Sequence, residues 1–328
     1  MLRLPHLRYL RPSTASEAAR LAAEHGGRAM LVAGGTDLFP NLKRRQFEPE
    51  VLIQVPRLAG IRREDGHLVL GATATLADAA ADPQLKRLLP GYAEAARLVS
   101  SPPLRNAGTV GGNLCVDTRC NYYNQTFEWR KSIGFCMKKD GDICLVAPGS
   151  PRCWAVSSSD TAPVALVLGA SVELTGPDGS RSIPAADLYR DDGIDYLGKR
   201  PEEVLTAIRL PLAPGVRTAY VKLRRRGSID FPIAGAAVAL QLEGDRVVSC
   251  RIALSAVASH PLEVPAAGEL LAGRRLDPDS ITAAAELAAK PAKPLDNTDL
   301  THFWRKKMVR VVVEQAIATA AGRERPEL

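Results

Sequence analysis

The stretch RNAGTVGGN (residues 105–113) decides the fold, together with a long cysteine-bearing segment that closes on SSSD (residues 157–160). Three glycines within five positions leave bare backbone that can meet a phosphate, because glycine admits positive φ and puts no Cβ in the way. Thr109 adds a hydroxyl, and Asn113 has a side chain suited to holding the loop's own shape. Five of the six cysteines fall in this region, at positions 115, 120, 136, 144 and 153. Buried core cysteines would be scattered, so clustering of this kind points to a metal site.

Upstream, residues 12–27 read as a helix. Thr14 and Glu17 form a T-x-x-E capping box, Ala18, Leu21 and Ala22 give an apolar face, and Gly26-Gly27 stops it. AMLVA (29–33) reads as a strand buried on both faces, followed by Gly34-Gly35-Thr36-Asp37 and a helix over 38–46. VLIQV (51–55) is a further buried strand, so this order builds a small parallel sheet. The loop between 33 and 38 lies at a strand's C-terminal end, and a helix start just after it suits a pyrophosphate. It is not the G-x-G-x-x-G spacing. The plainer reading is a Gly-Gly turn with Asp37 as N-cap, and the loop alone does not separate the two.

At 328 residues the chain suggests two or three domains. No apolar run approaches the roughly 20 residues needed to cross a bilayer, and MLRLPHLRYLRPSTAS (1–16) lacks the apolar centre of a signal peptide. The expected location is therefore cytoplasmic, without membrane insertion, and six cysteines there are expected as thiols. A net charge of +7 is modest, and only residues 222–226 form a basic run. Without interleaved aromatics this excludes nucleic-acid binding as a reading, and it suits an acidic protein partner or an anionic cofactor.

Downstream, residues 67–76 read as strand and turn, and alanine-rich helices run to about residue 100. Asp160 precedes an apolar helix, as an N-cap or as a carboxylate for sugar-like hydroxyls. GPDG (176–179) is a turn, and residues 202–211 are a strand. YVKLRRR (220–226) alternates, which sets Lys222 on one strand face with Arg224 and Arg226. Residues 231–257 read as a hairpin about Gly244-Asp245, with helices over 279–290 and 299–321. Phe303, Trp304 and residues 311–313 are expected in the core. Cys250 is read as a core residue.

Cys120, Cys136, Cys144 and Cys153 are separated by 15, 7 and 8 residues. No C-x₂-C pair occurs, so zinc ribbons, zinc fingers and the compact ferredoxin pattern match poorly. A stretch of about 40 residues with little periodicity is unusual inside a domain unless it is functional. Four thiolates on a [4Fe–4S] cluster would tie it down, and spacing alone allows a Cys₄ zinc staple equally. Cys115 is an alternative to Cys120, though it is expected to pack behind the glycine loop.

Four motifs in order carry a family resemblance: LVAGGTDL (31–38), AGTVGGNL (107–114), SDTAPVALVLGA (159–170) and YVKLRRRGSIDFP (220–232). Together they resemble the FAD-binding subunits of the xanthine oxidase family of molybdenum hydroxylases. That resemblance implies an α+β chain. Its FAD-binding domain would be of the p-cresol methylhydroxylase (PCMH) and vanillyl-alcohol oxidase type, a small parallel sheet plus a mixed or antiparallel sheet with helices. A C-terminal α+β domain like that of the CO dehydrogenase flavoprotein would follow. The expected boundaries are 1–57, 58–215 with an insertion at about 115–155, and 216–328.

Carried over residue by residue, the resemblance implies that Leu31, Val32, Ala33, Gly34, Gly35, Thr36, Asp37 and Leu38, with Thr109, Val110, Gly111, Gly112 and Asn113, cradle the FAD pyrophosphate. Asp160 would bind the ribityl or ribose region, Val99 would flank the adenine, and Leu205 and Lys222 would approach the isoalloxazine ring. The insertion resembles the beta subunits of the 4-hydroxybenzoyl-CoA reductases, which carry an extra [4Fe–4S] cluster. This favours a cluster on Cys120, Cys136, Cys144 and Cys153 over zinc. It also implies a molybdopterin large subunit and a small subunit with two [2Fe–2S] clusters, each chain present twice in a heterohexamer.

No His/Asp/Ser set or carboxylate pair stands out as catalytic. The expected role is electron transfer, from ferredoxin through cluster and FAD to the partners' clusters and molybdenum, for reductive dehydroxylation in anaerobic aromatic degradation. The alternatives are outward flow to NAD or quinone, or a zinc-stapled flavin scaffold.

Overall fold

The computed structural model describes residues 3–323; the last residues of the expected C-terminal domain, 324–328, lie outside it. The first unit runs β1 (Arg8–Leu10), α1 (Ala15–His25), β2 (Ala29–Val32), α2 (Leu38–Lys43) and β3 (Val51–Gln54), with a parallel sheet in the order β1-β3-β2. Thr14 Oγ1 accepts the Glu17 amide at 3.1 Å, while the Glu17 carboxylate reaches back to the Ser13 amide at 2.7 Å. The cap thus closes one residue earlier than the sequence pattern implies. Ala18, Ala19 and Ala22 turn onto Val51 and Ile53, and Gly26, at φ 55°, ends the helix. β1 was not expected from the sequence; Arg8 and Tyr9 are exposed and Leu10 half-buried, so the strand carries no apolar alternation. β2 is fully buried only at Val32, because Met30 and Leu31, packed against the core on one side, line a cavity on the other.

The second unit begins with β4 (Ile61–Glu64) and β5 (His67–Gly71) and continues through α3 (Leu76–Ala81), α4 (Pro83–Leu88), α5 (Pro90–Leu98), α6 (Pro102–Arg105) and α7 (Val110–Leu114). The cysteine segment carries α8 (Phe127–Ser132). After it come α9 (Thr161–Leu168), β6 (Ser171–Gly176), β7 (Gly179–Pro184) and β8 (Val204–Pro211). The sheet is antiparallel, in the order β4-β5-β8-β6-β7. TAPVALVL makes α9 apolar all round, as a helix enclosed on every side must be. Gly169, left-handed at φ 68°, ends it.

The third unit is a four-stranded antiparallel sheet, β9 (Val216–Leu223), β10 (Ala234–Glu243), β11 (Arg246–Ser255) and β12 (Leu262–Glu263), followed by α10 (Pro265–Leu271), α11 (Pro278–Ala289) and α12 (His302–Ala320). β10 is buried on both faces, between α9 and α12, which accounts for its small residues AGAAVAL. The expectation that Phe303 and Trp304 are core is wrong: they are 72% and 39% exposed. Arg305 occupies the inward position of that turn, in helical phase with Val309, Val312 and Ala316. Among the described residues no helix is long and apolar enough to cross a membrane.

Arg305 is fully buried and replaces hydrophobic packing with a hydrogen-bond hub. Nε donates to Ile233 O at 3.2 Å, Nη1 to Leu295 O at 2.7 Å and Asn297 Oδ1 at 3.2 Å, and Nη2 to Ala256 O. Burial draws its pKa down to about 10. Arg305→Met leaves these buried acceptors unpaired and is expected to cost about 3 kcal/mol. The check is a urea denaturation whose midpoint falls with an unchanged slope.

Candidate functional site

The two glycine loops press on each other. A Cβ on Gly34 would lie 1.9 Å from the Ala107 carbonyl oxygen, so only glycine lets them meet. Gly35 is left-handed at φ 69°. The second loop is stitched to the chain after β5: Leu76 N donates to Gly108 O, Val110 N to Ala74 O and Gly111 N to Ala72 O, each at 2.9 Å. The Thr109 hydroxyl is spent within the loop, accepting from Gly112 N at 3.0 Å as the cap of α7. The helices that follow the loops, α2 and α7, have only six and five residues, so little helix-terminal charge develops, and in the second loop the N–H groups of Gly108, Val110, Gly111, Gly112 and Asn113 are all engaged within the protein.

These loops wall a trough of three adjoining chambers. The first is lined by the whole run 31–38 with Val99, Thr109, Gly112 and Asn113. The second includes Leu205, Gly111 and Glu203. The third includes Asp37, Val99, Asn113, Asp160 and Lys222. The structure therefore places Leu205 and Lys222, expected together at one ring, in separate chambers. Val110 lines none of them and is buried in the core beneath the loop.

Asp160 does not cap α9 with its side chain. Asn113 Oδ1 accepts from Thr161 N at 3.2 Å and Thr161 Oγ1 at 2.7 Å, and Ser159 Oγ accepts from Ala162 N at 3.1 Å. The Asp160 carboxylate, almost fully buried, accepts instead from Tyr220 Oη at 2.7 Å and Lys222 Nζ at 2.8 Å. Arg119 pairs with Asp37 and lies over the Phe231 ring, 4.5 Å from its centroid. Burial pushes the Asp37 carboxyl up despite that arginine.

Asn41 Oδ1, Arg119 Nε and Ser158 Oγ are buried without hydrogen-bond partners, and all three residues line the third chamber. Asp117 Oδ2, in the first chamber, is likewise unpartnered. Buried polar atoms are nearly always satisfied, so orphans gathered around one trough fit a polar ligand rich in hydroxyls and phosphate oxygens. Sequence reasoning missed Asp117, Arg119, Tyr196 and Phe231. Only Tyr220 had a signal, since it shares a strand face with Lys222 by the period of two.

The cysteine segment leaves and re-enters the domain at a two-residue neck, where Arg119 and Val156 exchange backbone hydrogen bonds of 2.8 Å in both directions. Outside the neck it docks on both flanking units. Gln46 Nε2 donates to Tyr123 O at 2.6 Å, Arg130 Nη2 to Arg44 O and Arg45 O, and Asn297 Nδ2 to Trp154 O at 2.6 Å. Cys120, Cys136, Cys144 and Cys153 are all buried and line one small cavity. The cavity between them is small, about 10 Å³. Burial pushes the Cys120 thiol up to about 12 and that of Cys153 to about 11. Cys115 lies elsewhere, lining the trough behind the glycine loop, and Cys250 is half-buried against the third unit's core. Among the described residues no three His, Cys, Asp or Glu side chains are grouped as a single metal ion requires. The donor set is nonetheless all thiol, the chemistry that soft metals and iron–sulfur clusters take.

Residues 5–213 match the FAD binding domain in molybdopterin dehydrogenase, and residues 218–320 match the CO dehydrogenase flavoprotein C-terminal domain. The chain belongs to the FAD-binding subunits of the molybdenum hydroxylases of the xanthine oxidase family, of the CO dehydrogenase medium-chain type. It is 32% identical over 319 residues to the carbon monoxide dehydrogenase medium chain of Afipia carboxidovorans, covering 96% of each chain. It is 33% identical over 295 residues to an aldehyde oxidoreductase FAD-binding subunit of Escherichia coli, covering 86% of this chain and 91% of that one. Among solved structures, Cu,Mo-CO dehydrogenase in its cyanide-inactivated form superposes with a TM-score of 0.81 at 31% identity, over 98% of this chain and 100% of that one. The α+β architecture and the FAD-binding character expected from the motifs are thereby shown.

Two expectations follow. Gly34→Ala forces the loops apart, at about 1–3 kcal/mol of stability, and lowers flavin content, read from flavin absorbance per chain. Glu203, buried beside the second chamber, is held by Arg181 at 2.7 and 2.9 Å, and its pKa is drawn down to about 2 from an ordinary 4.5. A carboxylate depressed in the folded state stabilises fully above its unfolded pKa, and that contribution is lost as pH falls from about 4.5 toward about 2. Glu203→Gln flattens this acid-side loss, measured as urea midpoints across the window.

Proposed function

We propose that this chain is the FAD and [4Fe–4S] electron-transfer subunit of a 4-hydroxybenzoyl-CoA reductase-like molybdenum complex. The observation that carries the reading is the convergence of four thiols from one inserted segment on one cavity, with its neck at Arg119 beside the flavin trough. A cluster spreads its cysteines over four irons, which accommodates thiols not gathered at single-ion spacing, whereas tetrahedral zinc draws four sulfurs to about 2.3 Å from one point. In this reading residues 31–38, with Thr109, Gly111, Gly112 and Asn113, cradle the pyrophosphate and Asp160 faces the sugar hydroxyls, while Val110 supports the loop from the core. When bound, the two groups supply electron storage at tunable potential. The chain's own residues position them and exclude water.

The partners in this reading are a molybdopterin large subunit and a small subunit with two [2Fe–2S] clusters, in a cytoplasmic assembly with each chain present twice. Ferredoxin is the donor. The chain's relatives include proteins named medium chains or subunits, which supports a place within a complex. The second reading, outward flow to NAD or quinone, is favoured by relatives named as dehydrogenases.

The test is iron, sulfide and flavin content of anaerobically purified complex, with electron paramagnetic resonance after dithionite. About four iron and four sulfide per FAD beyond the small subunit's clusters, with a signal lost in Cys136→Ser or Cys144→Ser, is the expected result. FAD with zinc in place of that additional iron, or with no metal, would sink the cluster reading and leave a flavin subunit whose direction of electron flow this test does not fix.

A further inference from the structure

One lysine stands between the cysteine cavity and the flavin trough. The Lys138 side chain is 6% exposed, and Nζ donates to Asp117 Oδ1 at 2.8 Å, Thr118 Oγ1 at 2.5 Å and Gly193 O at 2.5 Å. Three acceptors match the three N–H bonds of an ammonium and leave none over. Nζ also lies 4.7 Å from the centroid of the Tyr123 ring and 5.5 Å from that of Tyr196. Tyr123 and Lys138 line the cysteine cavity, while Tyr196 and Asp117 line the trough. The ammonium is thus held between two aromatic rings, one facing each space.

Its partner is equally enclosed. The Asp117 side chain is 6% exposed; Oδ1 also accepts from Thr118 N at 2.9 Å, and Oδ2 has no partner. A buried ion pair is a poor way to gain stability, since apolar side chains of similar size do as well. What such a pair does supply is an oriented field in a low-dielectric interior. Its positive end lies on the cysteine side and its negative end on the flavin side.

We propose that the buried Lys138–Asp117 pair sets the partition of electrons between the two cofactor spaces, favouring the cysteine side. This rests on the cluster reading above for one of its two arms. Lys138 and Asp117 are positioning residues here: they act through their charge, with no bond made or broken.

The experiment is a redox titration of the purified complex, following flavin absorbance and the cluster's paramagnetic signal in parallel. Lys138→Gln leaves a bare carboxylate and lowers both potentials, most at the cluster. Asp117→Asn leaves a bare ammonium and raises both, most at the flavin. Each substitution therefore moves the partition toward the flavin, by roughly tenfold or ~59 mV for a one-electron step, while absolute potentials move in opposite directions. Lys138→Arg keeps the charge and holds both potentials near wild type. A staple acting only by packing gives shifts of one sign or none in variants that retain iron, and that result overturns the proposal. If Lys138→Gln fails to fold, Lys138→Met, which also removes the charge, takes its place opposite Asp117→Asn in the sign test. Protein that purifies without the additional iron overturns the cluster reading and not the pair's: there, a flavin potential that falls in Lys138→Gln and rises in Asp117→Asn supports the pair, and no shift overturns it.

Discussion

The buried carboxylate of Asp160 is the constraint on which the arrangement of the units depends. It sits at the start of α9, inside the FAD-binding domain, yet both of its strong partners, Tyr220 and Lys222, belong to β9 of the C-terminal domain. Lys222 in turn donates to Leu98 O at 3.0 Å, and Arg224 reaches the same carbonyl at 3.1 Å. One buried charge therefore joins the end of α5, the start of α9 and the edge strand of the C-terminal sheet. Desolvating such a pair is costly, and it is tolerated because each group is hydrogen-bonded. The same three segments wall the third chamber, so the trough's shape depends on how the two domains meet.

Most of the architecture was legible because local signals were strong. The Thr14 cap, the Gly26 stop, the GPDG turn and the Gly244-Asp245 hairpin each fix a boundary by backbone chemistry that tertiary context does not override. Periodicity failed where burial is not set by apolarity. β2 reads as a core strand, yet half of it lines a cavity; the apolar Phe303 and Trp304 face solvent because a charged residue, Arg305, takes the inward position. The six-residue length of α2 was equally out of reach: Arg45 turns left-handed at φ 59°, and the distant Arg130 takes up the Arg44 and Arg45 carbonyls.

At the site, the residue types were readable and the groupings were not. Both glycine loops were evident, but the reason for Gly34 is contact with Ala107, which no local pattern encodes. The cysteines announced a shared site by density, and the set expected from the family resemblance, Cys120, Cys136, Cys144 and Cys153, is the set that lines one cavity. Cys115, five positions from Cys120, ends up behind the glycine loop because it is the C-cap of α7. Asp117, Lys138, Tyr123 and Tyr196 come together from three stretches of chain, a convergence invisible to any one-dimensional spacing rule.

The neck at Arg119 and Val156 has a further meaning. Two residues opposite each other in an antiparallel bridge stand only about 5 Å apart, so a short linker would span the gap and let the domain close without the excursion. The segment is thus a cassette: one crossing joins it to the domain, and the flavin scaffold continues on either side of that crossing as one piece.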